Sequence, residues 1–389
     1  MKIGIPKETL ANERRVAATP ETVASLKDAG WDVLVESGAG DGVFAGDGDY
    51  ERAGATVLDD PAALFAAADL ILKVKQPVVH PRLGRHEADL LRPGAVLVTF
   101  LHPASPSHHD MVKKLAERNI TSFTMDGVPR TSRAQSMDGL TSMSTVTGYK
   151  ATLLAAVRLQ TFVPMVGTAI GAFGPAKALV VGIGVVGLQA VATARRLGAR
   201  VAAVDIRADA REQARSLGAR DAGFEVPEDL AVAEGGYARA LPEEWLARER
   251  EALEPLVSDS DIVILSALVP GEVAPVLITD EMVKRMRPGA VIVDVSIDQG
   301  GNCAITEPGE EVVRHGVTVI GTQNIPGSLA IDATRLYARN MLNFVSNLFK
   351  QGPGAIDWDD DIVRPCLVTH QGKIHHGGTL KAMGRPVGA

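Results

Sequence analysis

Gly182, Gly184 and Gly187, followed along the chain by Asp205, are the residues whose types and spacing point most directly to chemistry. In such a triplet the first glycine permits a tight turn and the second lets the backbone approach a pyrophosphate. The third lets a helix lie close to a strand. Ile183, Val185 and Val186 complete that loop, and the helix that opens there turns its N-terminus toward an anion. Asp205 stands where a carboxylate accepts hydrogen bonds from the hydroxyls of an adenosine ribose. Ile206, Arg207 and, further on, Ala267 and Leu268 join the expected nucleotide-binding set. An acid at Asp205 repels a 2′-phosphate and so favours NAD(H) over NADP(H), while Arg207 pulls the other way.

The elements that must hold these residues are also legible. Ala178 to Val181 is an apolar run that reads as a buried parallel strand, and a small-residue helix follows up to Gly198. A second apolar run, Val201 to Val204, ends on the acid. A glycine triplet alone is weak evidence; strand, helix, second strand and terminal acid together describe a β-α-β dinucleotide unit.

The chain has 389 residues, long enough for two domains with full cores. A net charge of −7 gives no electrostatic reason to expect nucleic acid or an anionic membrane as a partner. The two cysteines, Cys303 and Cys366, make no disulfide framework and have no metal-ligand spacing, so a reducing cytoplasm is expected and no metal is. MKIGIPKE lacks the apolar core of a signal peptide, and no apolar run is long enough to span a bilayer.

Strand and helix patterns alternate from the first residues. Strands are expected at Lys2 to Ile5, Asp32 to Glu36, Leu70 to Val74, Ala95 to Phe100 and Thr121 to Thr124. Helices are expected after Thr19, over Ala62 to Ala68 and over His109 to Arg118. The glycines from Gly38 to Gly42 read as a loop, because no apolar helix follows them. From Pro129 the chain turns polar and then becomes a long helix of small and apolar residues. Later strands are expected at Ile262 to Ser266, Ala290 to Val295 and Val317 to Ile320, with a Thr279-capped helix before the second of these. Residues 220–256 read as a long excursion, Leu336 to Phe349 as a helix, and the stretch through His370, His375 and His376 as a solvated tail. The expected fold class is α/β: two Rossmann-like, doubly wound, parallel-sheet domains around a cleft. The first comprises residues 1–128 plus 333–389, and the second, 137–328, binds NAD(H).

Several segments make the chain resemble the alanine dehydrogenase and pyridine-nucleotide transhydrogenase superfamily over nearly its whole length. They are Ile5 to Glu8, Arg15 to Pro20, Pro129 to Asp138, Glu234-Gly235-Gly236-Tyr237-Ala238, Leu268-Val269-Pro270-Gly271 and Gly300 to Cys303 with Glu307-Pro308-Gly309. Within that group it is most similar to the soluble NAD(H)-binding domain of the proton-translocating transhydrogenases. The resemblance implies that Arg130, Gln135 and Asp138 orient the nicotinamide and that Gly236 and Tyr237 belong to a loop closing over the nucleotide. It also implies a separate NADP(H)-binding domain, membrane-spanning partner subunits on other chains, a homodimer, and attachment to the inner face of the cell membrane through those partners. Thr141 replaces the serine more usual in that branch and keeps the hydroxyl. Lys75, His102 and Asp298 instead look like the alanine dehydrogenase versions of their segments. With Arg15 they match that family's catalytic set: Arg15 and Lys75 to grip a carboxylate, His102 as acid and base, Asp298 to assist. Three readings follow, namely a transhydrogenase subunit, a free-standing amino-acid dehydrogenase, and a non-catalytic NAD sensor.

Overall fold

A computed structural model describes residues 1–233, 236, 238–269 and 272–386. Glu234, Gly235, Tyr237, Pro270 and Gly271, all in segments named above, lie outside the described residues. The chain divides into two compact units: Met1–Met143 with Pro326–Ala389, and Ser144–Ile325.

The first unit is built on an eight-stranded sheet. Its strands run in the order Lys373–Ile374, Leu367–His370, Thr121–Thr124, Val96–Thr99, Leu70–Leu72, Lys2–Ile5, Asp32–Glu36, Thr56–Leu58. The six strands from the N-terminal stretch are parallel and stand in the doubly wound order 3-2-1-4-5-6. Their apolar runs are continuous because helices cover both faces, and Leu64, Phe65, Leu97, Val112 and Leu115 are fully buried among them. Each such side chain contributes about 1.5–3 kcal/mol on burial. The helix Pro20–Asp28 begins at Thr19 with a capping box.

The C-terminal stretch corrects the sequence reading. Leu367–His370 pairs antiparallel with Thr121–Thr124, and Lys373–Ile374 pairs with it in turn, so the histidines belong to a sheet edge and not to a solvated tail. The Thr369 hydroxyl bonds Ser122 and the Ile120 carbonyl, fixing that register.

The second unit carries a seven-stranded sheet in the order Arg220–Asp221, Arg200–Val204, Lys177–Val181, Ile262–Leu265, Val291–Asp294, Val317–Ile320, Glu311–Arg314. Only the last strand is antiparallel, and the six parallel strands again follow 3-2-1-4-5-6. Both sheets are therefore mainly parallel and mixed. Half of the expected excursion is a 16-residue helix, Glu243–Ser258, which covers the sheet with Leu253 and Val257. Val166–Thr168 and Gly171–Phe173 form a separate two-stranded hairpin.

Candidate functional site

In the second unit, strand Lys177–Val181 runs into Gly182 and then into helix Val185–Arg196. The sheet order reverses between this strand and Ile262–Leu265, which is where ligands of open α/β sheets bind. Gly182 has φ +86°, and a Cβ there would stand 2.5 Å from the Ala267 amide nitrogen. The Ser266 hydroxyl donates to the Gly182 carbonyl at 2.8 Å, tying the two strand ends together. A Cβ on Gly187 would lie 2.0 Å from the Gly182 carbonyl oxygen, so only glycine lets the helix come this close. Gly184 differs from both. Its φ of −84° suits any residue, it caps the helix without a side chain, and no atom lies within 4 Å of where its Cβ would be. Beside it the first amides of the helix have no intrahelical partners, and the open space is where an anion would approach. Val185 and Val186 are half-buried beneath it.

Asp205, 6% exposed, does more than end its strand. Its carboxylate accepts the Ile183 amide at 2.7 Å, so the second strand holds the glycine loop in place. Arg207 folds back onto it, with Nε at 3.0 Å and Nη2 at 2.9 Å, and reaches on to the carbonyls of Ile183 and Gly236. The acid and the base thus sit as one pair beside the half-buried Ile206. Asn302, wholly buried, clamps Ala267 in both directions: its side chain accepts from the Ala267 amide at 3.0 Å and donates to the Ala267 carbonyl at 2.9 Å. Asp294 accepts the amides of Ser296, Asn302 and Cys303 and so shapes the turn that carries the exposed Asp298. Leu268 is half-buried beside Ala267. Asn302 and Asp294 escaped the sequence reading as functional positions, since the segments they join are distant along the chain.

Glu249 was also missed. It lies on the inner side of the Glu243–Ser258 helix, and its carboxyl is pushed up to about 7, by burial first and by the Asp205 charge second. Its folded value exceeds its ordinary 4.5, so the folded chain binds more protons than the unfolded one between these limits. Stability therefore falls as pH rises through that window. Glu249→Gln is expected to stabilise the chain by on the order of 3 kcal/mol at pH 8 and by almost nothing at pH 4, read from denaturant midpoints. Equal gains at both pH values would remove Glu249 as the cause.

The first unit gathers a different set. His102, at φ +45°, places Nδ1 at 2.9 Å from Asp126 Oδ1, and its own amide donates to the same carboxylate at 2.8 Å. Burial alone would raise the Asp126 carboxyl, but His102 and Thr124 hold it below its ordinary value. Phe100 stacks on the imidazole at 5.8 Å. Lys75 lies at the end of the strand that precedes it, and Thr99 bonds its carbonyl. Under it the buried Lys73 ammonium sits 3.3 Å from both Glu8 and Glu87, which also accept the amides of Val74 and Val78. Arg15 is 3% exposed, and its Nε and Nη2 engage the carboxylate of Glu13 at 2.8 and 2.5 Å. Burial would raise Glu13, yet Arg15 and, more weakly, Lys75 hold it low. The structure thus couples Arg15 and Lys75 through one carboxylate.

Arg130 and Gln135 are exposed on the polar segment and Asp138 is half-buried. Asp138 caps helix Gly139–Arg158, accepting the Thr141 amide at 2.8 Å and the Thr141 hydroxyl at 2.6 Å. The segment is anchored from below. Asn340 and Asn343 donate to the Ser136 carbonyl, and Arg133 pairs with Asp360 and Asp361. Among the described residues no group of three or more His, Cys, Asp or Glu is placed to hold a metal ion.

Comparison with known proteins places this geometry. Residues 4–147 match the family described as alanine dehydrogenase/PNT, N-terminal domain, and residues 151–377 match its C-terminal domain. The first portion of the NAD(P) transhydrogenase alpha subunit of Rhodospirillum rubrum, a chain of its own, is 42% identical over 380 residues, covering 97% of this chain and 98% of that one. Alanine dehydrogenase of Halomonas elongata is 33% identical over 391 residues, covering 99% and 97%. A crystal structure of transhydrogenase from Sinorhizobium meliloti superposes with a TM-score of 0.84 at 38% identity, covering 96% of this chain and 100% of that chain. Matched along both halves and at these identities, the chain belongs to the alanine dehydrogenase/PNT family.

Proposed function

We propose that this chain is the NAD(H)-holding part of a proton-translocating NAD(P) transhydrogenase, exchanging hydride with NADP(H) held on a partner domain. The observation that carries the reading is the open approach over Gly184 at the reversal point of a 3-2-1-4-5-6 sheet, with Asp205 bonded into the glycine loop. The residues present fit the dinucleotide. Gly182, Gly184 and Gly187 with the helix N-terminus receive the pyrophosphate, and Asp205 receives the adenosine ribose. Ile206, Arg207, Ala267 and Leu268 line that subsite, and Gly236 and Tyr237 close over it. Bound NAD(H) supplies the hydride that is given up or taken. Transfer between two nicotinamides needs no side-chain acid or base, so the work of Arg130, Gln135 and Asp138 is to hydrogen-bond the carboxamide and ribose and fix the ring.

No helix among the described residues is long and apolar enough to cross a membrane. In this reading the proton path and the NADP(H) domain are carried by partner subunits, which hold the chain at the inner face of the cell membrane. The name of the Rhodospirillum rubrum relative, which divides the alpha subunit, supports separate chains. A homodimer is supported by the hairpin of the second unit. It exposes Met165 by 70%, Ile170 by 87% and Phe173 by 44%, on a segment without a charged residue from 159 to 176.

A second reading, an amino-acid dehydrogenase, is favoured by the Asp126-held His102, with Lys75 nearby along its sheet and Asp298 as its assistant. The engagement of Arg15 by Glu13 counts against it. The test follows 4-deuterated NADH with NADP⁺, with and without a purified NADP(H)-binding transhydrogenase domain, alongside NAD⁺ with L-alanine. Deuterium is expected on NADP only when the partner is present, with no alanine turnover. Alanine turnover lost in His102→Ala would overturn the proposal. Light scattering on the same sample is expected to give the dimer mass; a monomer at micromolar concentration would remove the homodimer from the reading.

A further inference from the structure

A groove of about 500 Å³ lies at the sheet edge of the first unit, made by the C-terminal stretch that sequence alone read as a tail. Trp358, Val363, Arg364, Leu367, His370 and His375 line it. Its volume is within the range of small-molecule sites, and its walls combine an apolar floor with few polar groups. The aromatic wall is built and not incidental. Trp358 packs on the His370 imidazole with centroids 4.3 Å apart and has Phe123 behind it at 6.3 Å, yet remains 40% exposed. His370 is pinned in turn by Thr121, whose hydroxyl lies 3.0 Å from its Nδ1, and His375 packs beside it at 6.1 Å.

The charge of the groove is of one kind. No carboxylate lines it, although the chain is acidic overall. Of the acids that surround Trp358 in sequence, Asp360 and Asp361 are taken by Arg133, and Asp357 is taken by Lys350. Arg364 is exposed, and among the described residues no carboxylate pairs with it. A guanidinium of this kind is a fork for a phosphate or carboxylate, and an exposed indole face is a platform for a flat ring.

We propose that this groove is a second small-molecule site, for a planar aromatic anion of the purine mononucleotide class, with its ring on Trp358 and its phosphate on Arg364. It is separate from the glycine loop of the other unit and does not depend on the reading of that loop. The site is non-covalent and adds a binding function to the half of the chain that carries no phosphate loop.

The test is titration calorimetry of AMP, adenosine and inorganic phosphate into the full chain, with and without saturating NADH. AMP is expected to bind in the presence of NADH with Kd below about 1 mM. Adenosine and phosphate are each expected to bind at least tenfold more weakly than AMP. Arg364→Gln and Trp358→Leu are each expected to weaken AMP at least tenfold, while Trp358→Phe, which keeps a ring, retains binding and covers the case in which the leucine variant fails to fold. AMP heat that is unchanged in Arg364→Gln and Trp358→Leu would overturn the proposal, as would its absence. Phosphate binding as tightly as AMP would overturn the aromatic half and leave a bare anion site. If NADH does not bind at all, the Arg364 and Trp358 dependence of AMP still decides the groove, and the failure falls on the glycine loop.

Discussion

Gly184→Val is expected to leave the unfolding transition within about 1 kcal/mol of the parent while weakening NADH binding at least 100-fold, whereas Gly187→Val loses stability and binding together. The two glycines are three residues apart in one loop, yet their surroundings are opposite. At Gly184 the backbone is ordinary and nothing lies within 4 Å of an added Cβ, so the folded chain has room for a branched side chain. Its only loss is a poorer helix cap. That room is the approach path of the pyrophosphate to the helix amides, and two methyl groups there hold the phosphates away from the N–H groups they would bond. A 100-fold loss is about 2.7 kcal/mol, the size of one or two charge-assisted hydrogen bonds. At Gly187 the obstacle is the Gly182 carbonyl oxygen at 2.0 Å, which is backbone and cannot rotate aside. The helix must lift from its strand, which disturbs the turn and the Ala267 contact behind it. Calorimetric NADH affinity and a denaturant melt on each variant separate the cases. Parent-like NADH affinity in Gly184→Val would mean the dinucleotide does not pass over this loop.

The contrast also shows what could be read in advance. The strands Lys2–Ile5, Asp32–Glu36, Thr121–Thr124 and Val317–Ile320 were legible to the residue, because a parallel strand buried on both faces is a continuous apolar run. The strands that escaped are the edge ones. Thr56–Leu58 is part-exposed, Glu311–Arg314 begins and ends on charges, and Arg220–Asp221 is exposed throughout, so none carries a hydrophobic signal. Helix Glu243–Ser258 was hidden by its charge, by Pro255 and by an inward-facing Glu249 at a position where the pattern calls for an apolar side chain. In the candidate sites the positions of the glycines and of Asp205 were legible from local spacing. The partners that hold them were not: Ile183 with Asp205, His102 with Asp126, Ala267 with Asn302 and Arg133 with Asp360 are bonds across long stretches of chain. Spacing encodes local geometry, and these pairings arise only once the sheet order is set.

Asp205 with Arg207 yields the other large effect, a reversal of nucleotide preference. In the folded chain the two side chains satisfy each other, and Arg207 spends Nε and Nη2 on the carboxylate. Asp205→Ala removes an acceptor for the ribose hydroxyls and for the Ile183 amide, each worth about 1–3 kcal/mol when left unpaired. NADH affinity is expected to fall at least tenfold. The same change leaves the Arg207 guanidinium with carbonyl partners only, at the place a 2′-phosphate would occupy, so NADPH affinity is expected to rise at least tenfold. That gain should fade with added salt, since it comes from one part-exposed charge meeting another. Asp205→Asn separates the two causes: it keeps an oxygen for Ile183 and drops the negative charge, so it should gain NADPH while losing less NADH. Arg207→Ala in the Asp205→Ala background should cancel the NADPH gain and leave the NADH loss in place. If NADPH binds no better in Asp205→Ala than in the parent, Arg207 does not face the ribose, and the preference for NAD(H) must be set by some other wall of the pocket.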